Sequence, residues 1–315
     1  MQRKLLGRTG VSVSALCFGT MCFGGNADEA ESARLYAACR DAGIDFFDCA
    51  NVYNAGRAEE ILGRLMAHER DALVITSKVG SGTGNSRRAI MREVEGSLRR
   101  LGTDRIDIYF LHQFDPDTRV EDSLRALDDL VRAGKVLYLG ASNWAAWQIA
   151  LALGTQVREG LAMFDVLQPM YNLLKRQAEV EILPLAQDRD LAVIPYNPVA
   201  GGVLTGKYLQ PGSNRGRLDE LDFYASRYGA DWIPKVVAEF VALAGRIGAH
   251  PVTLANAWVA RHPAVTAPII GARNVEQLQP ALKAADYALS DEDYAAISAL
   301  VPAPPPAHDR TETVR

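Results

Sequence analysis

Four side chains in this sequence have types and spacing suited to one chemistry. Asp48 follows the β-prone run 44–47, Lys78 follows 73–77, His112 follows 106–111, and Tyr53 stands five positions after Asp48. If they converge, a buried Lys78 ammonium favours the tyrosinate form of Tyr53, while the Asp48 carboxylate keeps that ammonium charged despite desolvation. Two unit charges about 4 Å apart at an effective dielectric near 20 interact by roughly 4 kcal/mol, enough to lower a phenol of pKa ~10 by up to ~3 units. A phenol so tuned donates its proton to a developing alkoxide, and His112 polarises the same oxygen, the two tasks of carbonyl reduction.

Reduction also needs a hydride source. Ser142 and Asn143 come just after the run 136–140, Gln168 closes 165–167, and Tyr196 and Asn197 follow 192–195. The hydroxyl and amides match the donors and acceptors of a nicotinamide carboxamide, and the Tyr196 ring offers a stacking face, so a nicotinamide cofactor completes the set.

These residues need a scaffold that presents strand ends on one rim. Eight short apolar runs, at 15–19, 44–47, 73–76, 106–111, 136–139, 165–167, 192–195 and 267–270, alternate with amphipathic stretches, the pattern of βα units around a parallel sheet. Ser86 caps a helix whose Ile90, Val94, Leu98 and Leu101 share a face and which Gly102 stops; Asp28 caps another that ends at Gly43. Further amphipathic stretches cover 120–133, 178–189, 234–247 and 252–261. The expected architecture is α/β, a (β/α)8 TIM barrel over 1–315 as a single domain. An N-terminal β-hairpin around Arg8-Thr9-Gly10 closes one end, and long loops crown the C-terminal face. The stretches 201–231 and 302–315 fit no helix and are expected as a functional loop and a flexible tail. Polar residues at the C-terminal ends of barrel strands are where such enzymes build active sites.

Composition narrows the partners. Hydrophobic residues make up 48% of the 315 and charged residues 23%, as in globular proteins. The net charge of −4, from 34 Lys and Arg against 38 Asp and Glu, leaves no basic run for nucleic acid. No apolar stretch reaches the roughly 18 residues of a membrane helix, and Met1-Gln2-Arg3-Lys4-Leu5-Leu6 leads into a turn, so a cytoplasmic protein without membrane contact is expected. Cys17, Cys22, Cys39 and Cys49 lack metal-site spacing and are expected as free, buried thiols, with no metal. The pattern leaves the oligomeric state open.

Over nearly its whole length the sequence resembles the aldo-keto reductases. The stretch Gly43-Ile44-Asp45-Phe46-Phe47-Asp48-Cys49-Ala50-Asn51-Val52-Tyr53, continued by Glu59-Glu60-Ile61-Leu62-Gly63, is similar to that family's Asp and Tyr segment, with Lys78 and His112 at the other two tetrad positions. The resemblance implies Tyr53 as proton donor, Lys78 as modulator of its pKa, Asp48 as holder of Lys78 and His112 as the residue orienting an aldehyde or ketone. It further implies NADPH as the hydride donor, its carboxamide gripped by Ser142, Asn143 and Gln168 and its ring stacked on Tyr196.

The run Asn197-Pro198-Val199-Ala200-Gly201-Gly202-Val203-Leu204-Thr205-Gly206-Lys207-Tyr208 is similar to the family's pyrophosphate loop, with Lys207 adding charge and either Arg217 or its neighbour Arg215 as a further phosphate contact. Gly271, Arg273 and Gln277 fall in a segment similar to the one around the adenosine end, where Arg273 and Gln277 meet the 2′-phosphate of NADPH. A Glu-Asn pair that contacts adenine in the family is replaced by Pro280 and Ala281. By the same resemblance Met21, Val52, Gly80 and Gln113 line the substrate pocket, with Phe223, Tyr224 and Trp232 as candidates to fill it. Two other readings remain at this point: a nicotinamide-binding regulatory or sensing subunit, and a Schiff-base aldolase acting through Lys78. The glycine-rich run 80–84 lacks a phosphate-loop ending, and Trp144 and Trp147 are expected to pack.

Overall fold

A computed structural model describes residues 1–209, 216–310 and 312. Strands β1 (Arg3–Leu5) and β2 (Ser12–Ser14) form an antiparallel hairpin. Eight parallel strands follow: β3 (Cys17–Gly19), β4 (Phe46–Asp48), β5 (Val74–Val79), β6 (Ile106–Leu111), β7 (Val136–Ser142), β8 (Phe164–Gln168), β9 (Ala192–Val193) and β10 (Ile269–Ile270). They pair in chain order, and β10 returns to lie beside β3. Backbone bonds from Thr266 N to Val193 O (2.8 Å) and from Ile269 N to Pro195 O (2.9 Å) close the remaining seam, so the sheet is a (β/α)8 barrel.

Around it run α1 (Glu29–Asp41), α2 (Arg57–Met66), α3 (Arg87–Leu101), α4 (Val120–Arg132), α5 (Ala146–Glu159), α6 (Ile182–Asp188), α7 (Arg217–Glu220), α8 (Asp222–Tyr228), α9 (Ile233–Ile247), α10 (Pro251–Arg261), α11 (Val275–Leu282) and α12 (Asp291–Ser298). Asp28 and Ser86 cap α1 and α3 as expected, each side chain accepting a first-turn N–H. Helices α2 and α5 announce themselves less: they start at Gly56 and Ala145, neither of which supplies a side-chain cap, so the capping signal is absent.

Two expectations need correction. The stretch 201–231 is not free of helix, because α7 and α8 lie inside it; at four and seven residues they are too short to display a helical period. The amphipathic stretch 178–189 is broken, with a 3-10 turn over Gln177–Glu179 ahead of α6. The described residues from 302 onward form no α-helix or strand.

Side chains alternate across each strand. Cys17, Phe46, Ile108, Phe110, Val166, Ile194 and Ile269 fill the barrel interior together with Leu6 and Val13. The other parity, including Phe47, Ile75, Tyr109 and Leu139, packs under the helices. A Cβ on Gly7 would come within 2.7 Å of Asp190 O, so the hairpin turn sits tightly against the strand starts at the N-terminal end. The opposite end is left for polar groups.

Candidate active site

The same inward register that carries the apolar fill continues into polar residues. Two positions after Phe46 comes Asp48, after Phe110 His112, after Val166 Gln168, and after Ile194 Tyr196. Strand pairing sets Asp48 beside Thr76, Lys78 beside Phe110, and Ser142 beside Gln168. Asp48, Lys78 and Ser142 belong to their strands instead of following them, because backbone pairing continues regardless of side-chain polarity.

These positions bring Asp48, Tyr53 and Lys78 into direct contact. Lys78 Nζ donates to Asp48 Oδ2 at 2.7 Å, to Cys49 O at 2.8 Å and to Tyr53 Oη at 3.0 Å. The lysine side chain is wholly buried and that of Asp48 nearly so. The other carboxylate oxygen, Asp48 Oδ1, accepts from Thr76 Oγ1 at 2.7 Å and from Gln168 Nε2 at 2.8 Å. A buried ion pair needs such completion to offset its desolvation. Sequence reasoning missed Thr76, although its place two residues before Lys78 puts both on one strand face.

His112 completes the group, its ring edge-on to Tyr53 with centroids 6.1 Å apart. Burial, with the Lys78 cation adding to it, pushes the imidazole down to about 3, so the ring is neutral. Its Nδ1 is buried without a hydrogen-bond partner. Tyr53 behaves differently from expectation. Burial pushes the phenol up to about 12, and the opposing pull of Lys78 does not offset it. The phenol is therefore fully protonated at neutral pH, a donor held in place and not one poised near neutrality. Against burial, the neighbouring Asp48 and Tyr53 hold Lys78 above its ordinary value. A protonated amine has no lone pair for a carbonyl, so a lysine held in this state does not favour the aldolase reading.

Tyr53 is presented by a strained turn, with Asn54 at φ 50° and Ala55 at φ 56°. Asn143, Asn197 and Ala200, at φ 59°, 64° and 52°, also occupy the left-handed region. Non-glycine residues adopt it only where surroundings enforce it, and five of the seven such residues described lie in the site's loops.

Ser142, Asn143, Gln168 and Tyr196 form one connected edge. Ser142 Oγ donates to Gln168 O at 2.9 Å, Asn143 Nδ2 to Ser142 Oγ at 3.0 Å and to His112 O at 2.9 Å, and Tyr196 Oη to Asn143 Oδ1 at 2.7 Å. Beyond it lie Pro198, Val199 and the buried Ala200, then Gly201 and Gly202 at φ 67° and 95° in a 3-10 turn that also holds Leu204. Lys207 places its ammonium 4.7 Å from the Tyr208 ring centre. Arg217, half-buried, faces Tyr224 Oη at 3.2 Å and Cys22 Sγ at 3.8 Å, and among the described residues it has no carboxylate partner. Arg215 lies outside the described residues.

At the far end, Arg273 N donates to Gln277 Oε1 at 3.2 Å in the turn after β10, and a Cβ on Gly271 would meet only Gly19 O, at 3.8 Å. Its guanidinium is held by Glu220 of α7, at 2.9 and 2.6 Å. Glu220 carried no signal in the sequence. Pro280 and Ala281 both lie within α11, and Ala281 is buried.

Met21 and Val52 are exposed at the rim, where Asn54 Nδ2 donates to Met21 O at 2.9 Å. Gln113 is exposed too, its carbonyl accepting from Asn85 Nδ2 at 2.8 Å, while Gly80 stands at φ 108°. Tyr224 is buried against Gly201, and Trp232 lines a cavity of about 430 Å³ with Val236, Leu300 and Val301 that shares no residue with this site. Tyr224 Oη also donates to Asn197 Oδ1 at 3.2 Å, and Phe223 is half exposed. Trp144 is buried against Phe114, and Trp147 is exposed.

The profile of the Aldo/keto reductase family matches residues 15–302, and the chain belongs to that family. It is 38% identical to a protein named uncharacterized oxidoreductase YrpG of Bacillus subtilis, across 96% of this chain and 97% of that one. It is equally 38% identical, over the full length of both, to a probable voltage-gated potassium channel subunit beta of Oryza sativa. Norsolorinic acid reductase B of Dothistroma septosporum is 31% identical across 95% of this chain and 81% of its own.

Proposed function

We propose that the chain is an NADPH-dependent reductase that converts an aldehyde or ketone to the alcohol, with Tyr53 as the general acid. The observation that carries this reading is the 3.0 Å contact from Lys78 Nζ to Tyr53 Oη, backed by the 2.7 Å contact to Asp48. A dinucleotide held by these residues would supply the hydride. Tyr53 Oη releases its proton to the carbonyl oxygen, and the Lys78 ammonium beside it stabilises the phenolate left behind. Asp48 keeps that ammonium in position. Neutral His112, which has an N–H to offer and no charge to release, orients the carbonyl.

The residues present suit the dinucleotide. Ser142, Asn143 and Gln168 offer a hydroxyl and two amides in one connected row for the carboxamide, beside the Tyr196 ring. Gly201 and Gly202 bare their backbone for a pyrophosphate, and Arg217 brings a guanidinium that no described carboxylate neutralises. Arg273 and Gln277 would hold the 2′-phosphate. Met21, Val52 and Gln113 would border the small-molecule aldehyde or ketone substrate.

No described helix is long and apolar enough to cross a membrane, and the four buried free thiols support a cytoplasmic setting. A second reading, a dinucleotide-binding regulatory subunit, is favoured by the full-length similarity to the rice protein named a channel subunit. The deciding experiment measures NADPH oxidation with a panel of aldehydes and ketones in parent chain and Tyr53→Phe. Turnover that the substitution abolishes while dinucleotide binding persists supports the reductase; binding with no turnover in the parent chain supports the regulatory subunit.

A further inference from the structure

We propose that Glu220 is an internal counter-ion of the 2′-phosphate subsite: it holds Arg273 in the free chain, competes with that phosphate, and so lowers the preference for NADPH over NADH. This rests on the cofactor reading given above. The two terminal nitrogens of Arg273 each meet one carboxylate oxygen of Glu220, at 2.9 Å for Nη1 to Oε1 and 2.6 Å for Nη2 to Oε2. That paired arrangement is the one a guanidinium offers to phosphate. A 2′-phosphate must therefore take the fork from Glu220 or share the guanidinium with it, a dianion next to a carboxylate.

The neighbouring donor is engaged in the same way. Val275 N, at the start of α11, donates to Glu31 Oε1 at 3.1 Å, so two groups beside this subsite are satisfied by acids from elsewhere in the chain. Glu31 is itself tied to Arg34, whereas Glu220 has Arg273 as its one cation within ion-pair distance among the described residues. Glu220 sits on the four-residue α7 and Arg273 in the turn after β10, so the pair joins two surface segments. Both side chains stay partly exposed, which keeps the pair weak enough for a ligand to replace.

NADH presents a neutral hydroxyl where NADPH presents phosphate. A carboxylate accepts a hydrogen bond from a hydroxyl and repels a phosphate, so one residue acts on the two cofactors in opposite directions.

Calorimetric dissociation constants for NADP+ and NAD+, with the parent chain, Glu220→Gln, Arg273→Ala and the double variant, test this. The expected result is NADP+ bound about three- to tenfold more tightly by Glu220→Gln, with NAD+ unchanged or weaker. In the Arg273→Ala background the same substitution is expected to have a smaller effect on NADP+ than in the parent chain, because the guanidinium being contested is gone and only the carboxylate's repulsion of the phosphate remains. Equal weakening of both dinucleotides by Glu220→Gln would make the pair a strap over the bound ligand and overturn the proposal. An unchanged ratio would overturn it as well. If the parent chain bound neither dinucleotide, the cofactor reading itself would fall, and this assignment with it.

Discussion

Gln168 Nε2 donates to Asp48 Oδ1 at 2.8 Å, so a residue at the proposed carboxamide contact is also a direct support of the buried carboxylate. The bond joins the end of β8 to the end of β4 across the barrel mouth. Replacing it with a carboxylate, Gln168→Glu, sets two acids against each other where neither reaches water. One of them must take a proton, and Asp48 then holds Lys78 less firmly. We expect Gln168→Glu to lower kcat for carbonyl reduction at least tenfold. A Gln168→Leu variant removes the donor without adding charge and should weaken dinucleotide binding more than it lowers kcat. Steady-state kinetics with fluorescence titration of NADPH separates the two, and identical behaviour of both variants would contradict the coupling.

Asp48→Asn leaves the Lys78 ammonium buried with only neutral acceptors. Removing one partner of a buried pair costs about 3–5 kcal/mol. The lysine escapes part of that cost by losing its proton, and the phenolate of Tyr53 then has no cation beside it. The variant is expected to unfold at lower urea, by about 3 kcal/mol, and to reduce carbonyls about a hundredfold more slowly. Stability unchanged from the parent chain would mean that the pair is not sealed from water.

The phenol of Tyr53, pushed up to about 12, holds its proton throughout the working range of the protein. For a raised acid the donor form is complete well below the pKa and the base form grows tenfold with each pH unit. Carbonyl reduction uses the donor form, so its single-turnover rate is expected to vary less than about twofold from pH 6 to 9. The reverse reaction, alcohol oxidation, needs phenolate and should climb roughly tenfold per unit over that range. A reduction rate that fell tenfold between pH 7 and 9 would place the phenol far below 12.

The site's skeleton was legible because barrel strands alternate strictly. Asp48, His112, Gln168 and Tyr196 each stand two residues beyond an interior side chain, a spacing visible in the sequence before any contact is known. Thr76 could have been found the same way, counting back from Lys78. The phenol's raised pKa could not, because desolvation depends on how completely the surrounding loops cover Tyr53. Nor could Glu220: α7 is a single helical turn, and its pairing with Arg273 spans 53 positions.

His112 and Asp165 pull acid stability in opposite directions. Burial, then Lys78, holds the His112 imidazole down to about 3, whereas in the unfolded chain it takes a proton near pH 6.5. Its contribution is complete above pH 6.5 and is lost as pH falls, by about 1.4 kcal/mol per unit down to about pH 3. At pH 5 the loss is about 2 kcal/mol. Asp165, pushed up to about 6 by burial, binds its proton in the folded state first and gains stability over part of the same interval. The parent chain alone therefore gives a shallow slope that hides both effects. Comparing it with His112→Asn cancels Asp165, which both proteins share. Urea unfolding at pH 7.5 and pH 5 is expected to show the parent chain losing about 2 kcal/mol more than the variant. Equal losses would mean that the imidazole is hydrated in the folded protein and free to take its proton there.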